Sequence, residues 1–513
     1  MSRPVRRMAL VAVGVSLAFL LSGCLQMFLP PEVRTTSVPT DETVAADLQS
    51  YYSQQLAWEG CGPELQCATA EAPLDWSDPQ RDTINLALIR QLATSGSPIG
   101  SLLVNPGGPG GSGYDFINDS IDYATSERLQ QNFDIVGFDP RGVNHSSAIS
   151  CYSDPADFDA YLFDLLPGEY GSDEWIAAYA AANEQFGAEC AKYSGELLGF
   201  VDTVSAARDL DLLRAILGDR KLNYLGYSYG TLLGATYADL YPDKTGRLVL
   251  DGALDPATTS FDVSATQAEG FESALRAFLA NCFDYEDCPF DGSVDASMTE
   301  IRALLDQLNA SPLRNEDGRE LGSSTMTIAI ITPLYSEESW PYLRQIFTDV
   351  MRGRADYAFQ IADFYFDRDT DGTYSNNATE AFLGINCLDY PSDSSLELMR
   401  TEEAELIRRA PVLGQQLAYG GVGCAGWPYP ATRVRGPITA SGSSEILVVG
   451  TTNDPATPYV WAKALAAQLD NGHLVSYEGE GHTAYNKDGA DCVTDVVDDY
   501  FINGTVPATD PKC

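Results

Sequence analysis

Short runs of apolar residues, each closed by a turn residue, recur along the chain. Ile84–Ile89, Ser101–Val104, Phe133–Phe138, Leu222–Leu225 and Arg247–Leu250 form one group, and Ile446–Val449 and Leu474–Tyr477 a second. Compact runs of this kind are what strands covered on both faces look like, as in a parallel sheet. Helical periods lie between them. Val204–Leu217 sets Ala206, Leu210, Leu213 and Leu217 on one face and stops at Gly218. Tyr229–Tyr241 stops before Pro242, and Tyr459–Leu469 follows Thr457-Pro458, which reads as an N-cap with proline at the first helical position. Strands alternating with helices predict an α/β fold with a mostly parallel central sheet flanked by helices.

The rhythm breaks from about 257 to 440, where the pattern is helical over Val263–Leu279, Ser297–Leu308, Tyr342–Met351, Glu380–Leu383 and Leu396–Arg409. Strands resume at Ile446. The stretch 257–440 is therefore expected to be a large helical lid inserted between two strands of one sheet. The core is expected in two parts, 46–256 and 441–513.

The N-terminus bears on compartment. Arg3, Arg6 and Arg7 precede an apolar run from Met8 to Leu21, too short to span roughly 30 Å of hydrocarbon comfortably. Small residues follow, as at a secretory cleavage site, so residues 1–23 are expected to be a signal peptide. The ending Leu21-Ser22-Gly23-Cys24 resembles a bacterial lipobox, which implies a lipid on Cys24 and an anchor to the outer face of the bacterial cell membrane. Residues 24–45, with Pro and Thr and no periodicity, read as a tether.

Charge and cysteine content narrow the classes. The chain of 513 residues holds 31 Lys+Arg against 73 Asp+Glu, a net charge of −42 that would repel phosphates and excludes nucleic acid as an expected partner. With 44% hydrophobic residues it is not a disordered chain. Setting Cys24 aside, the 11 cysteines leave an even number, with no C-x-x-C spacing to suggest structural zinc. An even count in an exported chain points to disulfides. Sequence alone leaves the connectivity of these cysteines open; pairing chain neighbours, which closes short loops at lower entropic cost, is the expectation chosen: Cys61–Cys67, Cys151–Cys190, Cys282–Cys288, Cys387–Cys424 and Cys492–Cys513.

Candidate chemistry centres on Gly226-Tyr227-Ser228-Tyr229-Gly230, a G-x-S-x-G motif between a predicted strand and a predicted helix. That is the context of a nucleophile elbow, with Ser228 as nucleophile. A serine hydroxyl needs a base, and the chain has three histidines. His145 precedes the serine, and His473 lies at the far end of the last predicted strand. His482, in Glu478-Gly479-Glu480-Gly481-His482, follows that strand at its carboxyl edge. The orienting acid should also follow a strand. Asp454 is favoured, with Asp251 and Asp255 as rivals. The oxyanion donors are expected to be the amides of Tyr229 and of Gly108, the latter in the loop Asn105-Pro106-Gly107-Gly108-Pro109-Gly110-Gly111-Ser112-Gly113. That loop also fits G-x-G-x-x-G, but Pro109 removes a donor that a dinucleotide site would use. The chemistry calls for no metal or organic cofactor.

The motifs PGGPGGSG at 106–113, FDPRGVNHS at 138–146, GYSYG at 226–230, TNDPATP at 452–458 and GEGH at 479–482 occur in this order. Together they resemble the α/β-hydrolase peptidases that include proline iminopeptidases and actinobacterial tripeptidyl aminopeptidases. With the lipobox, the chain also resembles mycobacterial cell-envelope serine proteases with carboxylesterase-like activity. The resemblance implies an α/β-hydrolase fold, hydrolysis of peptides from a free N-terminus under a helical lid, and a tripeptidyl-aminopeptidase-like C-terminal segment from about 400. Where that family usually has histidine before the oxyanion glycines, this chain has Pro106. The expected partner is a peptide or protein N-terminus, with carboxylic esters as the alternative substrate. A lid carboxylate should meet the α-ammonium; Glu269, Glu272 and Asp389 are candidates.

Overall fold

The computed structural model describes residues 35–431 and 433–513. The predicted signal peptide, Cys24 and the first part of the tether lie outside the described residues. Among the described residues there are twelve strands: β1 (Thr35–Thr36), β2 (Ala57–Gly62), β3 (Leu65–Pro73), β4 (Thr83–Gln91), β5 (Ser101–Asn105), β6 (Asp134–Phe138), β7 (Leu222–Tyr227), β8 (Thr245–Asp251), β9 (Leu313–Arg314), β10 (Glu320–Leu321), β11 (Ile446–Asn453) and β12 (Gly472–Glu480). Ten of them form one sheet in the order β1-β2-β3-β4-β6-β5-β7-β8-β11-β12. The six strands from β6 to β12 are parallel, while β1 to β4 form an antiparallel edge.

Six of the seven compact apolar runs are the parallel strands, while Ile84–Ile89 is β4 of the antiparallel edge; alternate residues of the parallel strands serve opposite faces. Leu103, Tyr224, Leu248, Leu250, Ile446 and Val448 belong to one buried cluster, covered by helices Thr203–Leu217, Tyr229–Leu240 and Tyr459–Gln468. Leu102, Val104, Leu225, Val249, Leu447 and Val449 belong to another, covered by Gly113–Ala124 and Asp491–Asn503. Of the antiparallel edge, β4 stood among the predicted runs, whereas β2 escaped the sequence pattern because it buries a single residue, Trp58.

The expected tether is shorter than 24–45. Thr35 and Thr36 pair with Trp58 and Ala57, the Thr40 N–H donates to Ala215 C=O at 2.9 Å, and Glu42 accepts from Arg214 at 2.7 Å. Residues 35–45 are thus docked on the core by backbone pairing and ion pairs.

A helical cap stands over one end of the sheet. It holds Ser260–Cys282, Val294–Ala310, Ser323–Ile331, Trp340–Met351, Asp356–Tyr365, Ala378–Asp389 and Leu396–Arg409, with the β9–β10 hairpin between the second and third. A second segment joins it, which the sequence pattern assigned to the core. Helices Pro155–Phe163 and Asp173–Ser194, between β6 and β7, pack Phe163 on Phe359, pair Asp159 with Arg368 at 2.7 Å, and set Trp175 against Tyr419. Their partners lie far along the chain, so no local pattern announces the contact. The five disulfides pair Cys61–Cys67, Cys151–Cys190, Cys282–Cys288, Cys387–Cys424 and Cys492–Cys513. Among the described residues no helix is long and apolar enough to cross a membrane.

Candidate active site

β7 ends in a sharp turn at Ser228, whose φ of 53° and ψ of −124° are strained for a residue with a Cβ. The turn brings Gly226 and Gly230 so close that a Cβ on Gly226 would lie 2.5 Å from the Gly230 carbonyl oxygen. This is the physical need for the flanking glycines. The Ser228 N–H donates to the Asp251 carbonyl at 2.9 Å, and helix Tyr229–Leu240 starts immediately behind. Ser228 is partly exposed, and its hydroxyl has no hydrogen-bond partner among the described residues. Nucleophile contacts of this kind tighten when substrate binds.

The glycine-rich loop after β5 lies on the elbow. Asn105 Oδ1 accepts from the Gly107 N–H at 3.0 Å, and the Gly107 carbonyl accepts from Gly111 at 3.1 Å. A Cβ on Gly107 would sit 2.9 Å from Ser228 Cβ and 3.0 Å from the Tyr229 nitrogen. The Gly108 and Tyr229 amides have no acceptor among the described residues, the condition an oxyanion site must meet. The Asp139-Pro140-Arg141-Gly142 motif braces this region. Buried Asp139 accepts from Ser112 Oγ at 2.6 Å and from the Tyr114 amide at 3.0 Å. Fully buried Arg141 grips Asp209 with two bonds of 2.7 Å and caps the carbonyls of Pro73, Leu74 and Phe200.

The loops after β11 and β12 meet at the same edge. His482 Nδ1 lies 3.0 and 2.9 Å from the Asp454 oxygens. Asp454 is buried and also accepts from the amides of Ala456, Thr457 and Thr483 and from Thr457 Oγ1. Thr457 is therefore not the cap of the following helix, as its spacing suggested. Pro458 is the N-cap, and the Thr457 hydroxyl faces Asp454 at 2.8 Å and His482 Nδ1 at 3.2 Å. The imidazole edge packs on the backbone beside the elbow's anchor: a Cβ on Gly252 would meet His482 Cε1 at 3.1 Å. From the cap, Tyr335 accepts the His482 N–H at 2.8 Å and sets its ring edge-on to the imidazole at 5.4 Å.

The other candidates lie elsewhere. His145 contacts Asp115 and Tyr114, and His473 contacts Glu445. Asp251 turns its carboxylate to the amides of Ala484 and Tyr485, and Asp255 accepts from Gln468. Glu272 spends its oxygens on the Val412 and Leu413 amides, Asp389 on Thr203, and Glu269 is half-exposed near Arg409. None of these last three lines the cavity beside the triad.

That cavity, about 1070 Å³, is walled by Pro106, Tyr227, Tyr335, His482 and Lys487, and by six carboxylates: Asp122, Glu337, Glu338, Glu478, Glu480 and Asp488. Lys487 donates to the His482 carbonyl, and burial pulls its ammonium below the usual lysine range. Glu480 Oε1 accepts from Asn453 at 2.8 Å, while its Oε2 is buried with no partner. Burial raises the Glu480 carboxyl, with the like charge of Glu337 adding to the rise and the Asn453 bond opposing it. Sequence reasoning missed Glu480, although it stands two residues before the histidine already selected. Among the described residues no group of three or more His, Cys, Asp or Glu could hold a metal ion.

A serine on a strained elbow, an imidazole bound to a buried carboxylate and two free amides are the parts acyl transfer needs. A profile of the family described as TAP-like protein matches residues 410–513. Serine protease Hip1 of Mycobacterium tuberculosis is 36% identical over 485 residues, 90% of this chain and 91% of that protein. Carboxylesterase B of the same species is 36% identical over 524 residues, 99% of each. Tripeptidyl aminopeptidase of Streptomyces lividans is 29% identical over 477 residues, 89% of this chain and 86% of that protein. With such identity sustained through core and cap, the chain belongs to the α/β-hydrolase family of these enzymes and is a serine hydrolase.

Proposed function

We propose that the protein is a serine aminopeptidase that releases short peptides from free N-termini. Ser228 Oγ attacks the scissile carbonyl while His482 Nε2 takes its proton. Asp454 holds the Nδ1–H tautomer and stabilises the imidazolium without taking the proton. The Gly108 and Tyr229 amides stabilise the oxyanion, each worth about 3 kcal/mol in such sites. The imidazolium then protonates the leaving amine, and water, activated by the same base, hydrolyses the acyl-enzyme.

The observation that carries the peptidase reading is the acidic cavity beside His482, with a carboxylate oxygen of Glu480 buried and unpartnered. An α-ammonium is the group such a wall attracts, the more strongly as water is excluded. The alternative, a carboxylesterase, draws on the relative named carboxylesterase B, which is matched over 99% of both chains. The same machinery serves both reactions.

We place the enzyme outside the cell, lipid-anchored through Cys24 to the outer face of the bacterial cell membrane. The lipobox-like ending supports this, and five disulfides fit an oxidising compartment. The test is hydrolysis of free-amine peptidyl anilides, N-blocked peptidyl anilides and p-nitrophenyl esters by the wild type and Ser228→Ala. Preference for the free amine supports the aminopeptidase, equal cleavage of blocked peptides indicates an endopeptidase, and turnover of esters alone favours the alternative. Turnover that survives in Ser228→Ala rejects the mechanism.

A further inference from the structure

β8 lies between β7, which carries Ser228, and β11, which leads to Asp454. Its last residue, Asp251, stands level with Tyr227 on one side and Val449 on the other. Its carbonyl oxygen accepts the Ser228 N–H at 2.9 Å. Its carboxylate, fully buried, accepts the Ala484 N–H at 3.0 Å and the Tyr485 N–H at 2.8 Å.

Those two amides follow the turn that displays His482, and the turn is strained. Thr483, a β-branched residue, has φ of 65°, a conformation that persists only where its surroundings over-determine it. Asp454 holds the Thr483 N–H at 3.2 Å, and Asp251 holds the next two. Among the described residues Asp251 has no ion pair within 4 Å; the opposite charges that act on it from further off are those of Lys487 and His482. The Ala484 N–H reaches both carboxylate oxygens, at 3.2 and 3.0 Å, and the Tyr485 N–H joins it on the nearer oxygen at 2.8 Å.

We propose that Asp251 is a positioning residue for the hydrolytic reaction. Through its carbonyl it holds the nucleophile, through its carboxylate it holds the base, and it thereby sets the distance between them. The inference rests on the Ser228–His482 reading and on neither choice of substrate.

The test uses the full chain as wild type, Ser228→Ala and Asp251→Asn, with steady-state kinetics on the best substrate and the rate of labelling by a fluorophosphonate. The Asn variant keeps the size of the side chain, removes its charge and sets an NH2 against the Ala484 N–H, which contacts both oxygens. The expected result is a kcat about 100-fold lower, as for a misplacement near 1 Å. KM stays within about twofold and the labelling rate constant falls in proportion while labelling still runs to completion; an unfolded fraction would instead cut the labelled amplitude and leave the rate constant unchanged. A folded Asp251→Asn with wild-type kcat, or with only KM raised, overturns the proposal. Labelling that persists in Ser228→Ala overturns the triad reading, and this inference with it. Should Asp251→Asn fail to fold, hydrogen exchange on the wild type decides. Ala484 and Tyr485 amides as slow as those of β8 support the proposal, and exchange at the rate of an exposed turn overturns it.

Discussion

On the sheet side of the cleft, the polar groups are buried and heavily bonded. Asp454 is 2% exposed and takes bonds from five donors, and Asp139, Arg141 and Asp251 are buried in the same manner. In the acidic wall of the cavity, Glu337 and Glu338 of the cap are exposed in a short 3₁₀ turn, and Glu480, at the end of β12, leaves one oxygen without a partner. The first wall has its bonds satisfied before substrate arrives, and so holds atoms in place. The second keeps unspent charge, and so selects what enters. Substitutions on the first should therefore act on kcat, and those on the second on KM.

The largest effect is expected at Asp454. Asp454→Asn keeps the shape but offers an amide where the imidazole N–H needs an acceptor, which favours the wrong tautomer. kcat should fall about 10⁴-fold. A fall of less than tenfold in steady-state turnover would break the assignment of the acid.

Next comes Gly107→Ala. Its Cβ would lie 2.5 Å from the Tyr227 carbonyl oxygen and 2.9 Å from Ser228 Cβ, with φ at 97°. The loop must move off the elbow and take an oxyanion donor with it, and kcat should drop about 10³-fold. Gly353→Ala in the cap is the control: its φ is 77°, but a Cβ there meets nothing within 4 Å. It should cost about 1 kcal/mol of stability and leave turnover unchanged. Equal losses of activity in the two variants would erase the contrast between the walls.

The legibility of the chain follows the same division. β5, β7, β8 and β11 stood out because both of their faces are covered, which forces unbroken apolar runs. The strand ends then pointed to Ser228, Asp454 and His482, which depend on local order along the chain. What stayed hidden depends on distant partners. Glu272 and Asp389 look like free lid acids until backbone amides are seen to occupy them. Thr457 looks like a helix cap until its hydroxyl is found on Asp454. Helix Asp173–Ser194 is rich in alanine, and nothing within it shows that Trp175 packs on Tyr419.

Helix Ala378–Asp389 is where the cap meets the glycine loop, and there a cap residue takes on the character of the sheet side. A Cβ on Gly110 would lie 2.5 Å from the Ala378 carbonyl oxygen. In the same first turn, Glu380 is buried and accepts the Cys151 N–H at 2.7 Å. Burial raises its carboxyl from 4.5 to about 7, against the pull of backbone bonds from Cys151 and Tyr152. The folded state therefore binds the proton more tightly than the unfolded state. The stability Glu380 contributes is fully present below pH 4.5 and is lost as pH rises through about 7, to a limit of about 3 kcal/mol. Glu380→Gln should match the wild type in thermal unfolding at pH 4.5 and exceed it at pH 8. A wild type that is relatively more stable at pH 8 would refute the sign.

The smallest effect, and the one that bears most on selectivity, is expected at Glu480. Its Oε2 is a buried acceptor with no donor, in a wall where Glu337 adds like charge. An incoming ammonium would supply both the missing hydrogen bond and the missing counter-charge, and would favour the ionised carboxylate. Glu480→Gln keeps the bond to Asn453 but removes the charge. KM for a free-amine peptide should rise about tenfold, the scale of one charge-assisted bond in a partly wet site. An N-acetylated peptide or a neutral ester brings no ammonium, so its kinetics should stay the same in the variant. If both substrate types weaken together, Glu480 merely shapes the cavity. If the free-amine peptide alone weakens, the acidic wall is reading charge while the bonded side of the cleft keeps its geometry.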